Sequence, residues 1–267
     1  TMRAVWRIAL LILLGILSLQ LYFVARIALM RVLDPQSTSF QRSEASRLLR
    51  EQGHILWSQS WRPYDALSDN LKRAVIASED ANFADHPGVE WDALQSAWKK
   101  NNAAQARADK VRQQNQARYE RAVARAQARG RALPPAPSAS NGATPKVIGG
   151  STITQQLAKN LFLSSERNLL RKGQEFAITF MLEALLGKER ILEVYLNNVE
   201  WGEGVFGAQA ASRQYFQTDA NRLSPIQAAR LAVMLPAPKR FELNPRSGYI
   251  LSRSGTIAAR MGSAELP

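Results

Sequence analysis

At 267 residues and 46% hydrophobic composition the chain can bury a substantial core, which excludes a mainly disordered protein and leaves room for one large domain with an anchor or for two small domains. The absence of cysteine excludes disulfides and thiolate metal sites, while leaving the compartment open. A formal net charge of +13 points to an anionic partner such as nucleic acid, a membrane surface or a phosphate-bearing substrate, but much of it is local: residues 99–146 carry eleven bases against Asp109 and Glu120.

Near the N-terminus, residues 8–25 contain no charge and are dominated by Leu and Ile. As a helix they span about 27 Å, close to the thickness of a hydrocarbon core. Arg7 and Arg26 bracket the run, with Tyr22 and Phe23 near its outer end, where ring side chains suit the interface. Residues 1–31 therefore read as a short tail and one transmembrane helix. Arg3 and Arg7 keep the tail cytoplasmic by the positive-inside rule, although Arg26 and Arg31 on the other flank weigh against it. A cleaved signal peptide fits less well, because the apolar run is long and no small-x-small site follows it.

Leu33-Asp34-Pro35 ends the anchor and residues 36–46 form a polar exit, so residues 32–60 are expected to be a linker or membrane-proximal segment. Ser68-Asp69-Asn70 offers a helix cap before Leu71, Val75 and Ile76. Residues 90–100 read as a helix with Trp91, Leu94 and Trp98 on one side. From 101 to 131 the composition shifts to Ala, Gln and Arg, leaving Val111, Tyr119 and Val123 as the large apolar residues; a helix here has no stripe to bury. Leu133-Pro134-Pro135-Ala136-Pro137 then opens a linker to Lys146. Residues 101–146 are thus a basic low-complexity insertion in a domain spanning 61–262. A solvated tether is the better reading of it; the functional one is contact with anionic headgroups or incoming substrate.

Beyond the insertion, Gly149-Gly150-Ser151-Thr152 caps a helix running to Asn160. Phe176, Ile178, Phe180, Met181, Leu182 and Leu185 predict an apolar helix central in the core, and residues 188–197 a further helix. Ser224-Pro225 opens another through Leu235, which Pro236 and Pro238 stop. No run of alternating strands is visible, so the fold class is mainly all-α.

Four blocks carry chemistry. Glu79-Asp80-x-x-Phe83-x-x-His86-x-Gly88 places two carboxylates at an apolar helix end, where partial desolvation by Phe83 would raise one towards the range of a useful base. Gly150-Ser151-Thr152-Ile153-Thr154-Gln155-Gln156-Leu157-x-Lys159-Asn160 gathers small and amide polar residues at a helix start, suited to a hydroxylated or anionic ligand. Arg167 with Arg171-Lys172-x-x-Glu175 groups cations with a carboxylate, and Lys159 and Arg167 are placed to flank a pyrophosphate. The last is Lys188-x-x-Ile191-Leu192-Glu193-x-Tyr195-Leu196-Asn197, followed by Gly202, Gly204 and Gly207.

In this order, over residues 61–245, the blocks resemble the peptidoglycan glycosyltransferase family, and within it the monofunctional, single-span enzymes. The resemblance implies a lysozyme-like helical domain with a small jaw lobe, at the inner membrane with its catalytic domain periplasmic. It implies polymerisation of lipid II into glycan strands, with undecaprenyl pyrophosphate released by inverting transfer to the acceptor 4-hydroxyl. It makes Glu79 and Glu175 the catalytic carboxylates, with Glu79 the base and Glu175 orienting the cations or holding a divalent ion. Asp80, Phe83 and His86 would support the base and border the substrate; Ser151, Thr152, Gln155, Gln156, Lys159, Arg167, Arg171 and Lys172 would bind sugar or diphosphate oxygens. No tightly bound cofactor is implied, although magnesium or manganese assists such enzymes. The expected partners are lipid II, the nascent strand, the membrane and other cell-wall synthases and division proteins; nucleic acid is not among them. The long insertion departs from the family pattern.

The rival readings are a lysozyme-like hydrolase or lytic transglycosylase, which would not need the cation cluster, and a non-catalytic basic membrane scaffold. Ser96-Ala97-Trp98-Lys99 and Ser68-Asp69-Asn70 mimic penicillin-binding transpeptidase motifs, but their order is wrong and no Lys-Thr-Gly exists. His54 has no supporting context, Glu183 and Glu193 read as structural, and Trp201 beside Gly202 is a candidate lining residue for a sugar cleft.

Overall fold

The computed structural model describes residues 2–135, 149–163 and 168–267. Arg167 and the end of the expected linker lie outside the described residues. Residues up to Val89 together with Thr152–Pro267 form one compact unit, and Glu90–Ser151 form a second.

The first unit begins with α1 (Met2–Leu29), apolar around its circumference and exposed along most of its length, with Phe23 and Ile27 buried near its end. A helix apolar on every side needs a nonpolar surround, and among the described residues α1 is the one helix long and apolar enough to cross a membrane. Its end is pinned to the body of the unit. Phe23 meets Phe162 edge-on at 5.2 Å, the amides of Gln20 and Gln174 exchange hydrogen bonds, and Arg190 Nε donates to the Met30 carbonyl at 2.7 Å.

The segment expected as a linker instead holds α2 (Ser39–Gln52) and the short strand β1 (Ser58–Gln59). Thr38 and Gln41 form a reciprocal capping box at the start of α2, a signal present in the sequence as Thr38-x-x-Gln41. The core follows with α3 (Asp69–Glu79), capped by Ser68. The chain re-enters this unit after residue 151 with α5 (Ile153–Phe162), α6 (Leu169–Leu185) and α7 (Lys188–Asn198), the intervening helix α4 (Trp91–Ala128) belonging to the second unit. α6 packs on both α5 and α1, so it is less central than its composition predicts: Ile178 and Leu182 are buried, whereas Phe180 is exposed.

Strands β2 (Glu200–Gly202) and β3 (Val205–Phe206) join β1 in a sheet of order β1-β3-β2, with β1 parallel and β2 antiparallel to β3. Strands of two or three residues cannot display alternation, which is why the sequence pattern does not reveal them. α8 (Gly207–Phe216), α9 (Pro225–Met234), α10 (Pro238–Phe241) and α11 (Gly248–Arg260) complete the unit, with α9 packed between α3 and α11. Ser224, Gln227 and Pro225 open α9 with both a capping box and the first-turn proline. Trp201 is fully buried and donates from Nε1 to the Leu231 carbonyl at 3.0 Å, so it is a core residue and lines no cleft.

In the second unit, α4 (Trp91–Ala128) is a single 38-residue helix. The expected helix at 90–100 and the Ala/Gln/Arg segment after it are continuous. Ala97 is its one buried residue, and i,i+4 bonds such as Gln105 to Asp109 and Gln116 to Glu120 support a sequence already rich in good helix formers.

Gly207 has φ of +80°, and a Cβ there would lie 2.6 Å from the Asn197 carbonyl oxygen. Replacing Gly207 by Ala is expected to lower stability by about 2 kcal/mol or more through strain and this clash, read as a drop in thermal midpoint of the full chain in detergent.

Candidate active site

Glu79 is the last residue of α3, and the chain turns at Asp80. Asp80 is buried, and each of its oxygens is used. Oδ1 faces His86 Nε2 at 2.7 Å, and Oδ2 accepts from the Ile153 backbone N–H at 3.0 Å, at the start of α5. His86 Nδ1 accepts from the Gly88 N–H at 3.1 Å, which leaves Nε2 as the protonated nitrogen that donates to Asp80. Gly88 has φ of +86°, and a Cβ there would fall 2.7 Å from Cγ of Glu183. Its carbonyl accepts from Thr152 Oγ1 at 2.6 Å. The first two blocks are thus tied together by the Asp80 carboxylate and by the turn that follows it.

One turn into α5, Gln156 donates from Nε2 to Glu79 Oε2 at 3.0 Å and accepts at Oε1 from the Tyr195 hydroxyl at 3.0 Å. The phenol therefore orients the amide so that its N–H side faces the carboxylate. Burial lifts the Glu79 carboxyl above the usual range and the charge of Asp80 adds to this, while the Gln156 bond opposes both. The negative end of α3 acts in the same upward sense. Burial, with the charges of Glu79 and Asp80, also pushes the Tyr195 phenol well above its ordinary range, so it remains a donor at neutral pH.

Glu175 on α6 is buried and accepts from Arg171 Nη1 at 3.2 Å and from Lys172 Nζ. Both of its oxygens face cations, and no group of three ligating side chains among the described residues includes it. Glu175 thus sits in a cationic donor set, with Arg171 and Lys172 on its two oxygens. Arg171 Nε is buried with no hydrogen-bond partner among the described residues.

A groove of about 610 Å³ runs past Gln156, Lys159, Asn160 and Arg171 to a wall formed by Glu44, Arg47 and Glu200. Lys159 is exposed to it. The transglycosylase family profile matches residues 48–114 and 136–262. Biosynthetic peptidoglycan transglycosylases from Burkholderia thailandensis, Paraburkholderia xenovorans and Cupriavidus metallidurans are 50%, 47% and 47% identical to the chain. Those alignments cover 94%, 94% and 95% of this chain and 83%, 88% and 94% of the three proteins. The chain belongs to the transglycosylase family.

The transglycosylase separates its expected site residues into two layers. Gln156, Lys159 and Arg171 face the groove, and Glu79 is bonded to the first of them. Thr152 and Gln155 are buried in a reciprocal capping box, which satisfies the first turn of α5, while Gln155 Nε2 is buried with no hydrogen-bond partner among the described residues. Phe83 is fully buried beneath the Lys188 ammonium at 4.5 Å, so it too supports from behind. Ser151 belongs to the second unit. Glu183 takes the structural role expected of it, accepting from Thr154 Oγ1 at 2.6 Å and Lys188 Nζ at 2.9 Å.

Two groove features escaped the sequence reading of this transglycosylase. Arg47 bridges Glu44, Glu51 and Glu203, and Lys239 reaches Glu44; the Arg47–Glu203 and Lys239–Glu44 pairs join residues far apart in sequence. Glu200 is buried nearby, with Lys239 Nζ 3.5 Å from Oε1 and no hydrogen bond to that oxygen among the described residues. Burial pushes its carboxyl up to about 7, with Glu44 and Glu242 adding to the shift and Lys239 opposing it. The folded state therefore binds this proton more tightly than the unfolded chain, so stability from this group falls as pH rises from about 4.5 to about 7. In thermal unfolding, Glu200→Gln is expected to match wild type below that window and to exceed it at about pH 8. Identical midpoints at both ends would show that the carboxyl carries no such penalty.

Proposed function

We propose that the transglycosylase polymerises lipid II, the membrane-borne disaccharide diphosphate precursor, into peptidoglycan glycan strands. The observation that carries this reading is a partly buried carboxylate, Glu79, held by a neutral amide whose other face opens onto a groove lined by Lys159 and Arg171. Glu79 takes the proton from the acceptor 4-hydroxyl as that oxygen attacks the anomeric carbon of the growing strand. The carbon–oxygen bond to the lipid diphosphate breaks with inversion. A diphosphate is an acidic leaving group, so its departure calls for charge stabilisation more than for a proton, and Lys159 and Arg171 supply that charge. Glu175 acts by holding Arg171 and Lys172 in place. A base paired with a cation would be a weaker base; Gln156 orients Glu79 without neutralising it.

The anchor supports the same reading. α1 would cross the inner membrane with its N-terminus cytoplasmic, placing the catalytic unit on the periplasmic side, where its lipid substrate emerges. A hydrolase acting on neutral glycosidic bonds has no use for cations at the groove.

Full-length protein in detergent with lipid II, its product followed on a gel, tests this. Glu79→Gln is expected to slow strand growth by about 100-fold or more with folding retained, since the amide replaces a group already disfavoured as an anion. Because the base must be ionised, the wild-type rate rises with pH, and its half-maximal point lies above the ordinary carboxylate range. Undiminished growth in the variant would remove Glu79 as the base, and shortening of preformed strands would establish hydrolysis instead.

A further inference from the structure

The cations of α4 are not scattered. At about 100° per residue, Lys99, Lys100, Arg107, Lys110, Arg118, Arg121 and Arg125 fall within an arc of about 100°. Their spacing explains this: Lys99, Lys110 and Arg121 stand eleven apart, close to three full turns, and Lys100, Arg107, Arg118 and Arg125 follow at seven and eleven. The row extends about 39 Å from Lys99 to Arg125. Asp92, in the first turn, shares the arc; Asp109 and Glu120 lie on the far side, where they bond Gln105, Arg112 and Gln116. All seven cations are exposed, and none forms an ion pair with a described residue.

The family profile passes over residues 115–135, so Arg118, Arg121 and Arg125 stand in a stretch that the family's common reaction does not require. We propose that this face of α4 is a docking surface for anionic lipid headgroups. Charge complementarity favours a polyanion, and α1 keeps the chain at a bilayer, which raises the local concentration of that polyanion above any other. The opposite side of the helix mixes Ala with Asn, Gln and the charged Asp109, Arg112 and Glu120 around Tyr119 and Val123, too little apolar surface to bury the helix in acyl chains. It would lie on the headgroups, held by charge and released by salt.

The cysteine-free chain permits a single fluorescent label, at Ala117→Cys within the basic face or at Ala126→Cys opposite it. The full chain is reconstituted into vesicles of phosphatidylcholine, alone or with about one-third phosphatidylglycerol, carrying a headgroup-linked quencher. Quenching at 117 is expected to rise about twofold or more with phosphatidylglycerol, to revert in high salt, and to exceed the change at 126. The R107Q/R118Q/R121Q/R125Q variant should lose the rise while keeping its helical content and its strand growth in detergent. Equal quenching in the two vesicles, or a rise that survives in the variant, overturns the proposal. So does a fall in the variant's detergent activity, which would place these bases on substrate, or a stronger response of the 117 label to a short nucleic-acid duplex than to anionic vesicles.

Discussion

The Asp80 carboxylate accepts from His86 on one side and from the first backbone N–H of α5 on the other, so the end of α3 and the start of α5 share one buried anion. The rest of the active centre is set by that clamp. Its neighbour Glu79 is carried to the helix end, and Gln156, three residues past Ile153, is brought within bonding distance of it. A buried carboxylate stripped of either donor would leave a desolvated charge unpaired, so the clamp holds only with both partners in place. It also explains the turn between the motifs. His86 must offer Nε2, so its Nδ1 needs a donor, and the Gly88 N–H supplies it from a backbone conformation that side chains rarely adopt.

Around this clamp, carboxylates are handled in opposite ways. Glu175 is surrounded by cations, which stabilise its charge and spend it on holding Arg171 and Lys172. Glu79 is given burial, a helix C-terminus and an anionic neighbour, which leave it reluctant to ionise, and only the neutral donors Gln156 and Ser78 oppose them. Tyr195 belongs to the same arrangement. Its phenol, locked as a donor by burial, forces the Gln156 amide to turn its nitrogen towards Glu79; the reverse orientation would set an oxygen against the carboxylate. Separating environments in this way lets one small region hold a base and a set of cations without pairing them.

What the sequence made legible follows from the range of the signals. Helix caps are local, and Ser68, Thr152 and Ser224 each open the helix expected of them. The family blocks are also local strings, so Glu79, Gln156, Lys159 and Arg171 could be named before any contact was known. Burial is not local: nothing in the string tells that Thr152, Gln155 and Phe83 are buried, or that the first two close a capping box at the start of α5. The groove wall of Glu44, Arg47 and Glu200, with Lys239 paired to both carboxylates, draws on α2, β2 and α10, which no periodicity links. The three short strands are below the length at which alternation can be seen. α2 is faint in the sequence for a different reason, since a polar helix with few buried side chains resembles an exit segment in everything but its capping box.

The energetics of α4 distinguish a functional face from a mere spacer. A helix solvated along its length is stabilised by Ala-rich propensity and by oppositely charged neighbours three or four residues apart. α4 has the first of these but largely declines the second. Arg107 and Lys110, and Arg118 and Arg121, are like charges at i,i+3, and Arg121 and Arg125 are like charges at i,i+4. Each such pair costs the isolated helix a few tenths of a kcal/mol, where an intervening Glu would have contributed the same amount favourably. A tether selected only to be soluble and extended gains nothing from that repulsion. An anionic plane relieves it along the entire row at once, because a straight helix keeps residues seven and eleven apart on the side that faces the plane.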